Sequence, residues 1–173
     1  MDLGGLSLEQ IERMARRPGR PVEAWDPPHC GHSGMRIARD GSWHHDGRPI
    51  GRPSMVRLFA SILRREPDGG YALVTPVEKL TIDVEDAPFL AVELRSAGDG
   101  REGSLAFRLN TDDIVLAGPD NPLRLQGPRP YLAVRPGLDA LVVRPVYYEL
   151  AEIALDEGGV WSGGAFFPLG GGA

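Results

Sequence analysis

The chain has 173 residues, 42% of them hydrophobic, and a formal net charge of −5 from 19 Lys and Arg against 24 Asp and Glu; that is enough for one substantial domain or two small ones. No apolar stretch approaches the roughly 18 residues of a membrane span, and the opening MDLGGLSLEQ lacks the basic and apolar segments of a secretion signal, so neither a membrane nor a secretory destination is expected. An acidic chain without a basic stripe is poorly suited to gripping a nucleic-acid polymer, and a lone cysteine, Cys30, cannot form an internal disulfide, which fits a cytoplasmic protein.

In chain order, SLEQIERMARRPGRP opens with Ser7 and Gln10 in capping-box spacing and predicts a short amphipathic helix over 7–17. MRIAR, SWHH and RPI follow as three short strands joined by Asp40-Gly41 and Asp46-Gly47, dipeptides that accept the positive φ angles of hairpin turns. Pro53 suits a first helical position, and Met55, Val56, Phe59, Ile62 and Leu63 recur at helical spacing, predicting a helix over 53–65 that Pro67-Asp68-Gly69-Gly70 stops. YALVTP and VEKLTIDVE read as strands, as do FLAVELR, SLAFRLN, DIVLAG, LRLQ and YLAV, and VYYELAEIALDEG reads as a closing helix. The tail GVWSGGAFFPLGGGA is too apolar for a free linker until its last few residues and is expected to dock. V-T-P-V-E-K-L from Val74 echoes V-R-P-V-Y-Y-E-L from Val143 with one residue inserted, which suggests two related α+β halves.

All four histidines and the only thiol lie in residues 29–45, as His29, Cys30, His32, His44 and His45. Structural zinc sites favour ligand pairs separated by a turn, whereas adjacent residues on a strand point apart, so a metal centre is not expected. Cys30 has nearby histidines but no visible triad order and reads as a structural or weakly reactive thiol. Arg52, Arg57 and Arg64 surround the helix expected from Pro53, with Arg57 and Arg64 seven apart on one face. A helix start presents unpaired N–H groups and partial positive charge, so an anion could settle there between guanidinium groups; against this stands the ordinary solvated face of an amphipathic helix. Glu78 alternates with Leu80, Ile82 and Val84, which places it on the apolar face and predicts a buried carboxylate meeting Arg36, Lys79 or another cation. Trp25, Trp43 and Trp161 are ligand platforms or packed anchors. No glycine-rich phosphate loop is present, and no cofactor is expected.

Seven segments form an ordered set of motifs: W-D-P-P-x-C-G, M-R-I-A-R-D-G-S-W, P-I-G-R, V-R-L-F-x-S-I-L-R, Y-x-L-V-T-P-V-E-K, D-A-P-F and W-S-G-G-x-F-F-P-L. In that order, from Trp25 to Leu169, they resemble the bacterial DUF1285 family. The resemblance implies a duplicated α+β arrangement whose second half is superficially pleckstrin-homology-like, with a small-ligand site between the halves for a nucleotide-like molecule in signalling. The family pattern is matched at Arg36, Asp40, Trp43, Arg52, Arg57, Tyr71, Thr75, Glu78, Lys79, Asn110, Asp113 and Trp161. His29 and His32 depart from it: the family carries an apolar or aromatic residue at the first, an acid at the second, and another acid at Gly34.

The expectation is therefore an α+β protein of two similar small domains, residues 20–86 preceded by the helix over 7–17, and a strand-rich 87–173. Its function is expected to be that of a non-enzymatic ligand-binding or regulatory module, with Arg36, Trp43, Arg52, Arg57, Tyr71, Thr75, Glu78 and Lys79 as candidate ligand-binding residues. Residues 1–80 carry 11 Arg, 1 Lys and 10 acids (+2), and residues 81–173 carry 7 Arg and 14 acids (−7). An anionic small molecule should accordingly be gripped from the first half, with Arg52 and Arg57 at the border of a cleft between the halves. The alternatives are an enzyme, hydrolytic or of another reaction, using Glu78 or Cys30 with Asp40 or Asp113, and a structural interaction protein; no protein partner is assigned.

Overall fold

In the computed structural model, which describes residues 2–170, helix α1 (Leu8–Ala15) starts as its capping box dictates. The Ser7 hydroxyl accepts the Gln10 N–H at 3.1 Å, and the Gln10 side chain accepts the Ser7 N–H at 2.8 Å. Its apolar stripe does not serve the domain that follows it in sequence. Ile11 is buried with Leu3, Ala106 and Ile114, and Met14 packs on the same cluster, so the N-terminal helix covers the sheet of the C-terminal domain. The chain divides into one unit of residues 18–88 with 136–138 and a second of the residues up to 17 with 89–135 and those from 139 onward.

The first unit holds β1 (His29–Ile37), β2 (Trp43–His45), β3 (Arg48–Pro49), α2 (Pro53–Ser61), β4 (Leu63–Arg65), β5 (Tyr71–Val74) and β6 (Glu78–Val84), in sheet order β3-β2-β1-β6-β5-β4. The second holds β7 (Phe89–Ala97), β8 (Ser104–Leu109), β9 (Ile114–Leu116), β10 (Leu123–Gln126), β11 (Arg129–Arg135), β12 (Leu138–Val142) and α3 (Arg144–Ile153), in sheet order β10-β11-β12-β7-β8-β9. Numbered within each unit, both sheets run 4-5-6-1-2-3, with the first and sixth strands central and parallel. This shared order is the duplication. The echo between Val74 and Val143 is not part of it: the first copy spans β5, a turn and β6, while the second enters α3, which follows the sixth strand. The helix lies between third and fourth strands in one unit and after the sixth in the other, an arrangement compatible with a pleckstrin-homology-like second half.

The helix expected over 53–65 ends at Ser61, and Leu63–Arg65 is instead strand β4, paired with β5 through Leu63 to Leu73, Arg64 to Ala72 and Arg65 to Tyr71. Pro67-Asp68-Gly69-Gly70 therefore closes a hairpin: Gly69 has φ +90°, and the Glu66 N–H donates to the Gly70 carbonyl at 2.8 Å. A cross-strand partner and full burial of Leu63 outweigh the helical spacing. Strand β12, which alternation around Asp139 leaves indistinct, is the central parallel partner of β7. Beyond α3 the tail docks as a hairpin of β13 (Gly159–Ser162) and β14 (Ala165–Pro168), with Val160, Ser162, Phe167 and Leu169 buried; the end of the tail, residues 171–173, lies outside the described residues. Among the described residues no helix is long and apolar enough to cross a membrane.

Candidate functional site

The central parallel pair of the first unit sets which side chains can meet. Its register matches His29 with Glu78, Cys30 with Lys79, His32 with Thr81 and, after a bulge at which Gly34 has φ +74°, Arg36 with Asp83 and Ile37 with Val84. Cα partners project from the same face of a sheet. Cys30, His32, Arg36, His44, Lys79, Thr81 and Asp83 thus share one face, while Ile37, Trp43, Glu78, Leu80 and Ile82 share the other. Cys30 and Glu78 are on opposite faces, so they form no acid–base pair with each other.

Most polar groups of that shared face are tied to neighbours. The Arg36 guanidinium pairs with Glu85, whose carboxylate also accepts the Arg39 N–H at 2.8 Å. The Arg39 N–H first, and the Arg36 guanidinium with it, hold the Glu85 carboxyl below its usual range against the opposing effect of burial. His32 accepts the Gly34 N–H on Nδ1 at 2.8 Å and lies 3.6 Å from Asp83 through Nε2. His44 Nε2 meets the Ser42 hydroxyl at 2.9 Å, and Ser42 donates through hydroxyl and backbone N–H to Asp40, which lowers the Asp40 pKa. Here the aspartate engages the serine and not the imidazole, so the trio is a braced hairpin turn, not a hydrolytic relay. Among the described residues no group of three or more His, Cys, Asp or Glu could hold a metal ion.

The sequence assigned the buried carboxylate to Glu78; the structure gives that place to Glu66. Glu78 is half-buried, and its carboxylate meets no cation among the described residues, because Arg36 is turned to Glu85 and Lys79 leaves on the opposite face. The Glu66 side chain is 11% exposed and lies 3.0 Å from Arg64 Nη2 and 3.4 Å from Lys79 Nζ. Arg64, expected beside Arg57 on a helix, projects from β4 and spends its other nitrogen on the Val22 and Trp25 carbonyls at 2.9 and 2.7 Å. Its guanidinium thus staples the segment before β1 to the sheet. The signal for Glu66 was its alternation with Arg64, hidden because the residues were read as helical.

Other candidates take structural roles. Thr75 accepts the Glu78 N–H on its hydroxyl at 3.2 Å and braces the β5–β6 turn. The Tyr71 hydroxyl accepts from Arg65, whose guanidinium carbon also lies 4.4 Å from the ring centroid. Trp43 is 2% exposed and stacks near Phe59 of α2 at 6.5 Å, and its indole N–H has no partner among the described residues. In the second unit Asn110 accepts the Leu90 N–H at 3.0 Å, and Asp113 accepts the Thr111 hydroxyl at 2.7 Å. Ser162, which sequence reasoning did not single out, is fully buried and bridges the Leu105 N–H and the Ala117 carbonyl at 2.8 and 2.7 Å.

Arg52 and Arg57 remain at the surface of the first unit. Arg52 is the N-cap of α2, but its side chain caps nothing; it is exposed, and its guanidinium has no hydrogen bond or ion pair among the described residues. Pro53 has no N–H to satisfy, and the Met55 and Val56 N–H groups reach the Arg52 carbonyl, so the Ser54 N–H is left open at the helix start. Arg57 is exposed on the same helix.

Comparison with known proteins gives a consistent result. Residues 20–87 match the N-terminal domain model of DUF1285, described as a domain of unknown function, and residues 88–169 match the corresponding C-terminal domain model. A crystal structure of a DUF1285 family protein from Silicibacter pomeroyi is 47% identical with a TM-score of 0.81, and the match covers 94% of each chain. Another from Shewanella baltica is 28% identical with a TM-score of 0.58 over 70% of this chain and 92% of that one. No curated protein matches.

Proposed function

This chain belongs to the DUF1285 family, and from that membership and the local geometry we propose that it is a non-catalytic binding or regulatory module whose N-terminal domain grips an anionic, nucleotide-like small molecule. The observation that carries the reading is Arg52. An exposed guanidinium without an internal partner stands at the start of a helix whose Ser54 N–H is open, so charge, donor geometry and the helix dipole favour an anion at one spot. Arg57 on the same helix, Arg36 held by Glu85 and Lys79 held by Glu66 contribute through the field only. An enzyme built on Glu78 or Cys30 has less support, because the acids expected to assist are engaged elsewhere, Asp40 by Ser42 and Asp113 by Thr111.

Calorimetry with inorganic phosphate, nucleoside monophosphates and cyclic nucleotides tests this. Binding that weakens by about 1.5–3 kcal/mol in Arg52→Ala, the worth of a charged hydrogen bond, with an unchanged melting temperature, supports it. Wild-type protein indifferent to every anion, or Arg52→Ala binding as wild type does, refutes it.

A further inference from the structure

The second unit contains a cavity of about 110 Å³ between the end of β7, the start of β8, the C-terminal end of α3 and β13. That is far below the roughly 300–1,000 Å³ of a site for a nucleotide-sized ligand. It suits a head group. Leu105 and Val160 form a buried apolar floor, and Trp161 is one wall. Glu157 stands beside Trp161 and accepts its indole N–H on Oε2 at 2.8 Å, which leaves Oε1 without a partner among the described residues. The Ser96 hydroxyl, on the same face of the β7–β8 pair as Leu105, makes no hydrogen bond among those residues, while Ser104, paired with Ala97, projects from the other face.

Carboxylates outnumber cations around this cavity. Glu157 is the ionised side chain of the lining, and Asp99 and Glu102 stand exposed on the loop whose Gly98, Gly100 and Gly103 complete the wall. The same loop carries Arg101, whose guanidinium carbon lies 5.1 Å from the Trp161 ring centroid. The chain's own guanidinium thus already uses the ring face as a cation seat, without pairing with Glu157 among the described residues. We propose that this cavity binds a guanidinium or primary ammonium head group. Glu157 Oε1 and the Ser96 hydroxyl accept its N–H groups, Trp161 supplies the π face, and the apolar floor takes the first methylenes of its stem. The head group belongs to a free alkylamine or to the arginine or lysine side chain of a peptide.

The indole N–H resonance of Trp161, identified by its loss in Trp161→Phe, reports on the site directly in a two-dimensional ¹H–¹⁵N spectrum. The probes are n-butylguanidinium, n-butylammonium and n-butanol, with end-capped Gly-Arg-Gly and Gly-Lys-Gly as the peptide arm. Saturable shifts are expected with the cations and at least tenfold weaker binding with butanol. Glu157→Gln keeps an acceptor for the indole, so the local fold persists, but should weaken the cations tenfold or more. Arg101→Ala should tighten them about threefold by vacating the ring. Tighter binding of the capped peptides assigns the head group to a side chain, and tighter binding of the alkyl cations assigns it to a free amine. Butanol binding as well as the cations, an unchanged affinity in Glu157→Gln, weaker binding in Arg101→Ala, or no shift with any cation overturns the proposal.

Discussion

Ser162 lies in the W-S-G-G segment and is fully buried. Its hydroxyl sits where the β8–β9 ladder opens. The Ala117 N–H still reaches the Leu105 carbonyl at 3.0 Å, but the return bond from the Leu105 N–H is relayed through Ser162 Oγ to the Ala117 carbonyl. Ser162→Ala removes one oxygen and strands one donor and one acceptor. Each unsatisfied buried group costs about 1–3 kcal/mol, partly offset because the hydroxyl no longer has to be desolvated. The two strands cannot close the gap freely, because the next residue, Gly163, approaches the Gly118 backbone so tightly that a Cβ would stand 3.2 Å from the Gly118 Cα. We therefore expect a loss of about 2–3 kcal/mol in urea denaturation followed by Trp161 fluorescence, together with faster hydrogen exchange at the Leu105 amide. Ser104→Ala, which removes a hydroxyl without a partner among the described residues, should stay within about 0.5 kcal/mol. A Ser162→Ala loss below about 1 kcal/mol with the Leu105 amide still protected would show that the relay adds nothing the backbone cannot supply itself.

Glu66→Ala strands Arg64 and Lys79, whose side chains are only 11% and 28% exposed; we expect about 3 kcal/mol of lost stability by tryptophan fluorescence, and a loss under 1 kcal/mol would show that solvent replaces the carboxylate. Glu85 has a folded pKa below its unfolded one, so its stabilisation is present above the ordinary carboxylate range and disappears as pH falls through the depressed folded value. Glu85→Gln should flatten the acid side of the stability curve, and parallel curves for wild type and variant would refute the assignment. Trp43→Phe loses ring volume but also removes a buried indole N–H without a partner among the described residues, so denaturation should register only about 1–2 kcal/mol; a loss above 3 would mean that the indole has a bonded partner.

The fold was legible in the sequence wherever a single local signal decided the outcome. The Ser7 and Gln10 capping box, the Asp-Gly hairpin turns and the Pro53 helix start all lie within a few residues of the structure they specify. Legibility failed where two signals conflicted or the partner was distant. Ile62 and Leu63 continue a helical period, but β5 offers Leu63 a cross-strand place that no local pattern announces. The Val74 and Val143 echo misled because similar words serve a strand turn in one unit and a helix in the other.

The candidate site was harder to read because partners of charged side chains are chosen by register. Glu78 was expected to find Arg36; the sheet gives Arg36 to Glu85 and sends Lys79 to Glu66. Thr75 and Asp113, which match the family pattern, bond within their own turns, and Asn110, which also matches it, ties the end of β8 to β7 through the Leu90 N–H. Ser162, inside one of the family's motifs, bridges the β8–β9 ladder. A matched position can therefore be accounted for by the fold alone, and a motif says little about ligands until its internal bonds have been subtracted. After that subtraction two polar environments retain unspent capacity: the Arg52 guanidinium with the Ser54 N–H in the first unit, and Glu157 Oε1 with the Ser96 hydroxyl in the second. One presents donors and the other mainly acceptors, so they select ligands of opposite charge. A ligand for one is a poor ligand for the other, and titrating Arg52→Ala and Glu157→Gln with both phosphate and butylguanidinium should show each variant losing only its own partner.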